Sequence, residues 1–173
     1  MLVRVVPYDS SWSHRFDLER DRVASALGDI VVALHHIGST AVPGIRAKPI
    51  IDILLEVTDQ AELDRRSSRM ESLGYEAKGE FGIPGRRYFR RNDAKGIRTH
   101  QVHAFAFGSG EALRHLAFRD YLIAHPRIAE SYGDLKQQLA AQFPHDIEAY
   151  SNGKDGFVKE HEAKALLWRA SRG

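Results

Sequence analysis

The residues best able to do chemistry are a Gly-Ser-Thr turn and one aspartate. Gly38, Ser39 and Thr40 follow an apolar run, and Asp52 stands thirteen residues after Ser39 inside a second apolar run. A glycine lets the backbone approach a ligand, and the hydroxyl and amide groups of a turn can cradle phosphate oxygens. A carboxylate inside an apolar strand needs a partner, because burying an unpaired charge is costly. The combination predicts a phosphate site, although each part alone also fits an ordinary loop or turn cap.

Residues 99–107 carry polar side chains in a strand-like pattern. His100 and His103 are three positions apart, so on a regular strand they face opposite sides of the sheet and cannot share one metal ion. His100 fits a buried, hydrogen-bonded histidine as well as a site residue. His103 shares its face with Gln101, and this polar row is typical of the wall of a site.

Two basic positions are further candidates for binding phosphate. Arg87 belongs to a run of four arginines within residues 86–91, which fits either a solvated sheet edge or a contact with phosphate. Lys154 closes a polar turn at residues 150–154 and begins the last predicted helix. It is either a solvated surface lysine or a side chain that presents its ammonium group to a bound phosphate.

Apolar runs and turn residues place these candidates on predicted elements. Residues 30–37 and 49–55 are expected to form strands on either side of the Gly-Ser-Thr turn, with residues 99–107 as a third and residues 2–6 as a short first strand. Residues 75–78 and 86–91 are predicted as the arms of a β-hairpin. In the first half of the chain, one helix is predicted from Asp9 or Ser10 to Gly28 and another from a Thr58 cap to Gly74. In the second half, helices are predicted over residues 111–124, from Pro126 onward and after the polar turn. The helix after Pro126 has a core stripe of Ile128, Tyr132, Leu135 and Leu139.

The composition of the 173 residues narrows the class of protein. Apolar residues make up 43% and charged residues 28%, which is typical of a soluble globular chain long enough for one full core. Lysine and arginine number 25 against 23 acidic residues, and the net charge of +2 gives no argument for binding nucleic acid. Because the chain has no cysteine, disulfides and thiolate metal sites are excluded and a cytoplasmic location is favoured. Neither a signal peptide nor a membrane-spanning run is recognisable.

Several separate motifs, in one order along the chain, resemble the GrpB family. This family is related to the nucleotidyltransferases, whose signature is a Gly-Ser pair followed by an Asp-x-Asp strand, and is similar to a domain fused to some dephospho-CoA kinases. The motifs are HIGSTAVPG at residues 36–44, AKPIIDI at 47–53, RTHQVH at 98–103, HLAFRDYL at 115–122 and KDGFV at 154–158.

The resemblance implies an α/β (α+β) fold, a nucleotidyltransferase-like small mixed β-sheet with flanking helices and a helical C-terminal third, in one domain over residues 1–173. It also implies a site at the end of the first two strands. Carried over, Gly38 and Ser39 would bind phosphate, and Asp52 would bind Mg²⁺, which neutralises the leaving group. The other candidates that these motifs contain are Thr40, Lys48 and Lys154 for phosphate, and His36.

The chain departs from the superfamily pattern at the metal-binding carboxylates. The second carboxylate of Asp-x-Asp would stand at position 54, which is Leu54. Glu56 lies on the same predicted face but about 13 Å from Asp52 along a strand, too far to coordinate the same ion. Two-metal chemistry is therefore not expected, and His103 is at best a single-metal ligand or a general base. Gln101 stands where the family commonly has another histidine.

Three functions fit these residues. The first is Mg²⁺-dependent transfer of a nucleotidyl or phosphoryl group, with His103 as the base. The second is a non-catalytic module that binds a nucleotide or a CoA-like ligand in a degenerate active site, and the missing acid at position 54 favours it. The third is a His/Asp metal-dependent hydrolase, for which the spacing gives no support. The expected partner is a nucleotide or another phosphorylated small molecule, with no nucleic acid or membrane, and the oligomeric state stays open.

Overall fold

The computed structural model describes residues 2–172, which form a five-stranded sheet with helices on both faces. The strands are β1 (Val31–Ile37), β2 (Ile51–Val57), β3 (Glu76–Ala77), β4 (Arg87–Asn92) and β5 (Arg98–Ala106). The helices are α1 (Ser11–Leu27), α2 (Gln60–Arg65), α3 (Ser67–Ser72), α4 (Gly110–Ala124), α5 (Pro126–Gln142) and α6 (Ile147–Ser171). The predicted mixed sheet, hairpin and helical C-terminal third are confirmed.

The strand order β1-β2-β5-β4-β3 brings the candidate residues to one end of the sheet. Strand β2 pairs antiparallel with β1 and parallel with β5, while β4 pairs antiparallel with both β5 and β3. The parallel pair needs a long crossover, which α2, α3 and the hairpin supply. As a result the end of β1 meets the beginnings of β2 and β5, with Asp52 between Ile37 and Gln101.

The central strand β2 divides the interior into two layers. Its odd-numbered side chains are fully buried against α1, α2 and α3, namely Ile51, Ile53, Leu55 and Val57. Because side chains alternate along a strand, Asp52, Leu54 and Glu56 point to the other face. There Leu54 packs with Ala112 of α4, and helices α4, α5 and α6 build a second core around Tyr121.

Helix α1 covers the first face of the sheet with one apolar stripe. The stripe repeats at helical spacing, as predicted, and consists of Trp12, Phe16, Val23 and Leu27. Gly28 ends the helix with a φ of +70°. In the part of the chain that the structure describes, none of the helices has the length and apolar character that a membrane crossing requires.

Two predictions in the first half of the chain were wrong in detail. Residues 2–6 do not form a strand, because they make a single antiparallel bridge, between Val6 and Ala47, while Val3 donates to the Pro144 carbonyl instead. The helix expected from Thr58 begins after Asp59, whose side chain caps it, and it is divided at Arg66 into α2 and α3. The guanidinium of Arg66 donates to the Leu27 carbonyl at the end of α1, so the residue that divides α2 from α3 also contacts α1.

The polar turn predicted at residues 150–154 is instead part of α6. That helix begins at Ile147, where Asp146 caps it, so Lys154 lies two turns inside rather than at the start. The glycine in this stretch serves helix packing, since a Cβ on Gly153 would lie 2.4 Å from a methyl carbon of Leu139 on α5. A residue that reads as a turn signal in the sequence therefore lets two helices approach closely.

A buried acid ties α1 to the sheet. Glu19 is 3% exposed, accepts a hydrogen bond from the Tyr75 hydroxyl at 2.7 Å and pairs with Arg91 at 2.9 Å. Arg91 also donates to His100 Nδ1 at 3.0 Å. Burial, with the nearby Arg91 charge, lowers the pKa of His100 to about 4. His100 is thus a buried, hydrogen-bonded histidine, which is one of the two interpretations that its sequence position allowed.

We expect Glu19→Ala to lower the free energy of unfolding by about 3 kcal/mol, because it leaves the partly buried Arg91 without its carboxylate. Urea unfolding followed by circular dichroism measures the change. Glu130→Ala makes the same substitution at an exposed position of α5 and should cost less than about 0.5 kcal/mol. Equal, small losses for both variants would contradict a structural role for the Glu19 network.

Candidate functional site

A cleft opens where β1 ends and β2 and β5 begin. Asp52 of β2 and Gln101 of β5, which are neighbours in register, form its sheet side. The turn after β1 borders it, and helices α5 and α6 close it from the opposite side. The cavity measures about 110 Å³ and is lined by Ser39, Thr40, Lys48, Ile50, Asp52, Gln101, Lys136, Tyr150 and Lys154.

Gly38 lets the turn after β1 pass directly over Asp52. Its φ of +73° and ψ of −172° lie in a region almost restricted to glycine. A Cβ at this position would lie 2.7 Å from Asp52 Oδ2 and 3.1 Å from Asp52 Cβ. The sequence predicted a glycine that makes room for a ligand, and the group that approaches it in the structure is the Asp52 carboxylate.

The buried side chain of Thr40 and the partly buried side chain of His36 hold the turn after β1 in place. The Thr40 hydroxyl donates to the Ile50 carbonyl at 3.2 Å and lies 2.9 Å from His36 Nε2. Because that hydroxyl donates its proton to Ile50, it accepts from His36. His36 stacks on Phe16, and burial lowers its pKa to about 4. Thr40 and His36 therefore hold the turn in place, and Ser39 lines the cavity beside them.

Three lysines line the cleft from three different segments. Lys48 precedes β2, Lys136 belongs to α5 and Lys154 to α6. Lys136 is 2% exposed, and its ammonium nitrogen has no hydrogen-bond partner among residues 2–172. It lies 4.5 Å from the ring centroid of Tyr132, and the other two lysines lie 5.2 and 5.4 Å from that of Tyr150. Cation–π contacts of about 0.5–2 kcal/mol offset only part of the cost of burying an ammonium group.

The crowded lysines change each other's protonation. Burial lowers the pKa of Lys136 to about 6, and the charges of Lys154 and Lys48 add to the effect. Burial and the charge of Lys154 lower the pKa of Lys48 to about 8, and burial lowers the pKa of Lys154. Asp52 opposes the shift at all three lysines. An anion bound among them would raise their pKa values in the same way, so anion binding and proton uptake are coupled.

His103 lies beside the cleft on the sheet face opposite to that of His100, as predicted. Its Nε2 is 3.3 Å from Asp52 Oδ1, and its Nδ1 is 3.3 Å from a guanidinium nitrogen of Arg86. A guanidinium only donates, so Nδ1 accepts and the proton of the neutral ring stays on Nε2, facing Asp52. With both ring nitrogens engaged, His103 orients the Asp52 carboxylate and has no free lone pair for a substrate proton.

The side chains of the cleft do not fit a magnesium ion held by the protein. Mg²⁺ favours octahedral oxygen ligands, and Asp52 is the only carboxylate among the described residues that line the cavity. Within residues 2–172, no three His, Cys, Asp or Glu side chains are arranged to hold a metal ion. Glu56 is occupied elsewhere, 3.0 Å from His35 Nε2. The positive charge at this cleft comes from lysines.

The structure brings most of the predicted site residues together. At the cleft lie Gly38, Ser39, Thr40, Lys48, Asp52, Gln101 and Lys154, with His103 beside them. Arg87 is not among them, because it points to the opposite face of the sheet and pairs with Asp64 at 2.7 Å. Lys154 is half-buried in the cleft, which departs from its interpretation as a solvated surface lysine.

Two residues of the cleft are not identified by the sequence patterns. Lys136 stands four residues after Tyr132 and three before Leu139, within the apolar stripe of α5. A lysine in such a stripe is itself a signal, because lysines are almost never fully buried without a partner. Tyr150 falls in the stretch predicted as a turn, and its place beside the lysines follows from residues 147–171 forming one helix.

Comparison with solved structures groups the chain with proteins that have a nucleotidyltransferase-like fold. Terminal uridylyl transferase 4 from Trypanosoma brucei matches 96% of this chain, and 55% of its own, with a TM-score of 0.52 and 12% sequence identity. At that identity the likeness shows the fold alone.

The chain belongs to the GrpB protein family, whose model matches residues 2–164. The crystal structure of the conserved protein GrpB from Enterococcus faecalis has a TM-score of 0.92 and 42% identity, with 96% of this chain and 99% of that chain covered. The UPF0157 protein YqkA of Bacillus subtilis is 45% identical over 98% of this chain, which spans 49% of that relative. A dephospho-CoA kinase of Mycolicibacterium paratuberculosis is 27% identical over 99% of this chain and 48% of its own. The family resemblance is confirmed.

The contact between Gly38 and Asp52 generates one prediction. We expect Gly38→Ala to lower the free energy of unfolding by about 3 kcal/mol, because a Cβ is strained at this φ and ψ and collides with the carboxylate. Gly44→Ala is the control, since Gly44 also has a positive φ, of +84°, but no heavy atom within 4 Å of the place that a Cβ would take. Its cost should be about 1 kcal/mol. Adding Asp52→Ala should recover part of the stability lost in Gly38→Ala. Urea denaturation of the natural protein, the two single glycine variants and the double variant measures this, and the absence of any recovery would refute the contact.

The buried lysine generates a prediction about pH. The pKa of Lys136 falls from 10.5 in the unfolded chain to about 6 in the folded one. Between these values the unfolded chain binds more protons, so the lysine destabilises the folded state most at low pH and its cost fades as the pH rises. Lys136→Met should therefore stabilise the ligand-free protein by about 2 kcal/mol at pH 7 and flatten the rise in melting temperature from pH 6 to 9. Lys164→Met, at an exposed site on α6, should change neither, and parallel pH profiles for all proteins would contradict burial of this charge.

Proposed function

We propose that this chain binds a nucleotide or another phosphorylated small molecule, with the phosphate groups held among Lys48, Lys136 and Lys154. The observation that carries the proposal is the amino group of Lys136, which is buried and unpartnered among residues 2–172. A phosphate would supply the missing hydrogen-bond acceptors, and its negative charge would favour the protonated form of the amine as it binds. Phosphate oxygens have the charge and the hydrogen-bond acceptors that three ammonium groups require.

The size of the cleft supports a phosphate group as the occupant. The cavity of about 110 Å³ is small beside the roughly 300–1,000 Å³ of pockets that hold whole small molecules, so it suits a phosphate-sized group rather than a whole nucleotide. Ser39 adds a neutral hydroxyl donor beside the lysines, which a phosphate with several acceptor oxygens would use. Charge, donors and volume therefore favour the same chemical group.

Binding under this proposal does not need a metal. In nucleotidyltransferases, metal ions held by carboxylates neutralise the phosphates, whereas here lysines stand in the position to do so. The Mg²⁺ predicted at Asp52 stays a prediction, since an ion already bound to the ligand phosphates needs only one protein carboxylate. Asp52 is, in the metal-free arrangement, the counter-charge that raises the pKa of the lysines.

Transfer of a nucleotidyl group is the second candidate function, and the contact between His103 and Asp52 favours it. A base there would take the proton of an acceptor hydroxyl while the hydroxyl oxygen attacks the α-phosphorus of a nucleoside triphosphate and pyrophosphate leaves. Because both ring nitrogens of His103 are already engaged, binding without transfer is the better supported function. The cytoplasmic location that the cysteine-free composition favours stays part of this proposal.

Isothermal titration calorimetry tests the proposal with pyrophosphate, ATP and dephospho-CoA, in EDTA and in Mg²⁺. We expect binding in EDTA, and a loss of at least about tenfold in affinity for Lys136→Met, because a hydrogen bond between charged groups is removed. Lys164→Met serves as the control for charge alone and should bind like the natural protein. No binding of any of these ligands would refute the proposal.

Asp52→Asn separates the metal-free arrangement from the metal-dependent one in the same titration. If lysines alone hold the phosphates, the variant should bind as tightly or more tightly in EDTA, because a negative charge beside the anion is gone. Binding that requires Mg²⁺ and disappears in Asp52→Asn would instead support the metal-dependent transferase.

A further inference from the structure

A second, apolar cavity adjoins the lysine cleft. It measures about 310 Å³ and shares Lys48, Ile50 and Gln101 with the cleft, so the two cavities are neighbours. Its other walls come from the N-terminal segment, the turn between β4 and β5 and the first residue of α6. A volume of about 310 Å³ is at the lower end of the range for small-molecule pockets, which is roughly 300–1,000 Å³.

The lining of this cavity is aliphatic. Val3, Ile50, Ile97 and Ile147 contribute to it, and none of the described lining residues is aromatic. Ile97 and Ile147 are 58% and 48% exposed, so they leave apolar surface in water that an occupant would cover. A nucleobase is usually held by stacking on an aromatic ring, whereas a flexible aliphatic chain needs only apolar walls. The lining therefore favours an aliphatic occupant over a base.

The charged residues of the cavity restrict the kind of occupant. Lys48 stands at the junction with the cleft, while Arg4 and Arg98 lie on the same apolar cavity. The Arg98 guanidinium donates to Asn92 at 2.7 Å, which holds it in place at the rim. No acidic side chain is among the described lining residues, so a cationic tail would be repelled and an uncharged one with an anionic head is suited.

We propose that the apolar cavity binds the aliphatic chain of an organic phosphate whose phosphate head lies among the lysines of the adjoining cleft. This inference rests on the proposed function and names its ligand class, a phosphate or diphosphate ester of an uncharged aliphatic chain. The cleft alone has room for the head, and the shared residues Lys48, Ile50 and Gln101 place the larger cavity directly beside it, where the chain would lie.

The test is a titration of the protein in EDTA with inorganic pyrophosphate, ATP and monoalkyl diphosphates of increasing chain length. Each buried methylene should raise the affinity about three- to fourfold until the cavity is full, after which affinity should stop rising. The double variant Ile97→Ser and Ile147→Ser should weaken this dependence on chain length and leave pyrophosphate affinity unchanged. Leu167→Ser, at an exposed leucine about 30 Å along α6 from Ile147, should have no effect on either.

The outcomes separate the two proposals. Binding of pyrophosphate that does not strengthen with chain length would overturn the aliphatic pocket and leave phosphate binding at the lysines intact. ATP binding more tightly than every alkyl diphosphate, with loss in the double serine variant, would assign the cavity to a nucleoside and overturn the inference as well. Absence of binding by all of these ligands would refute the phosphate site and, with it, the pocket.

Discussion

The buried amino group of Lys136 is the constraint on which the arrangement of the cleft depends. It lies between the second core, built from α4, α5 and α6, and the polar end of the sheet, where the negative charge of Asp52 favours its protonated form. Gly153 allows α6 to pack tightly on α5 and so brings Lys154 and Tyr150 to the same space. A folded protein is only marginally stable, and it tolerates such a charge where its cost is offset by packing elsewhere.

The strand β2 separates structural polar groups from those of the cleft. On one side, Arg91 joins α1 to the sheet through hydrogen bonds to Glu19 and His100. On the other side, Asp52 and Gln101 face a cavity. Both sides contain histidine and arginine, so residue type alone does not distinguish a structural network from a ligand site. The difference is whether the polar atoms already have partners.

The fold is shared with nucleotidyltransferases, yet the charges at the equivalent edge differ from those of the superfamily pattern. With Leu54 in the place of the second acid and three lysines around Asp52, the cleft carries excess positive charge of its own. A metal site needs excess negative charge, and the two arrangements favour different ligands in the absence of other ions. Function must therefore be argued from the side chains of the cleft, because the backbone alone does not decide it.

The family, the main strands and helices, and the turn with its aspartate could all be predicted from the order of the residues. These features rest on local patterns: apolar alternation in β2, the helical stripe of α1, and a glycine whose backbone conformation other residues avoid. The three-dimensional packing was needed to show that Lys136 and Lys154 join Lys48, that Arg87 faces away, and that an aliphatic cavity adjoins the cleft. These facts depend on how closely α5 and α6 approach the sheet and on which face of the sheet each side chain lies. Contacts between residues that are distant in the chain leave no periodic signal in the sequence, so the sequence alone does not reveal them.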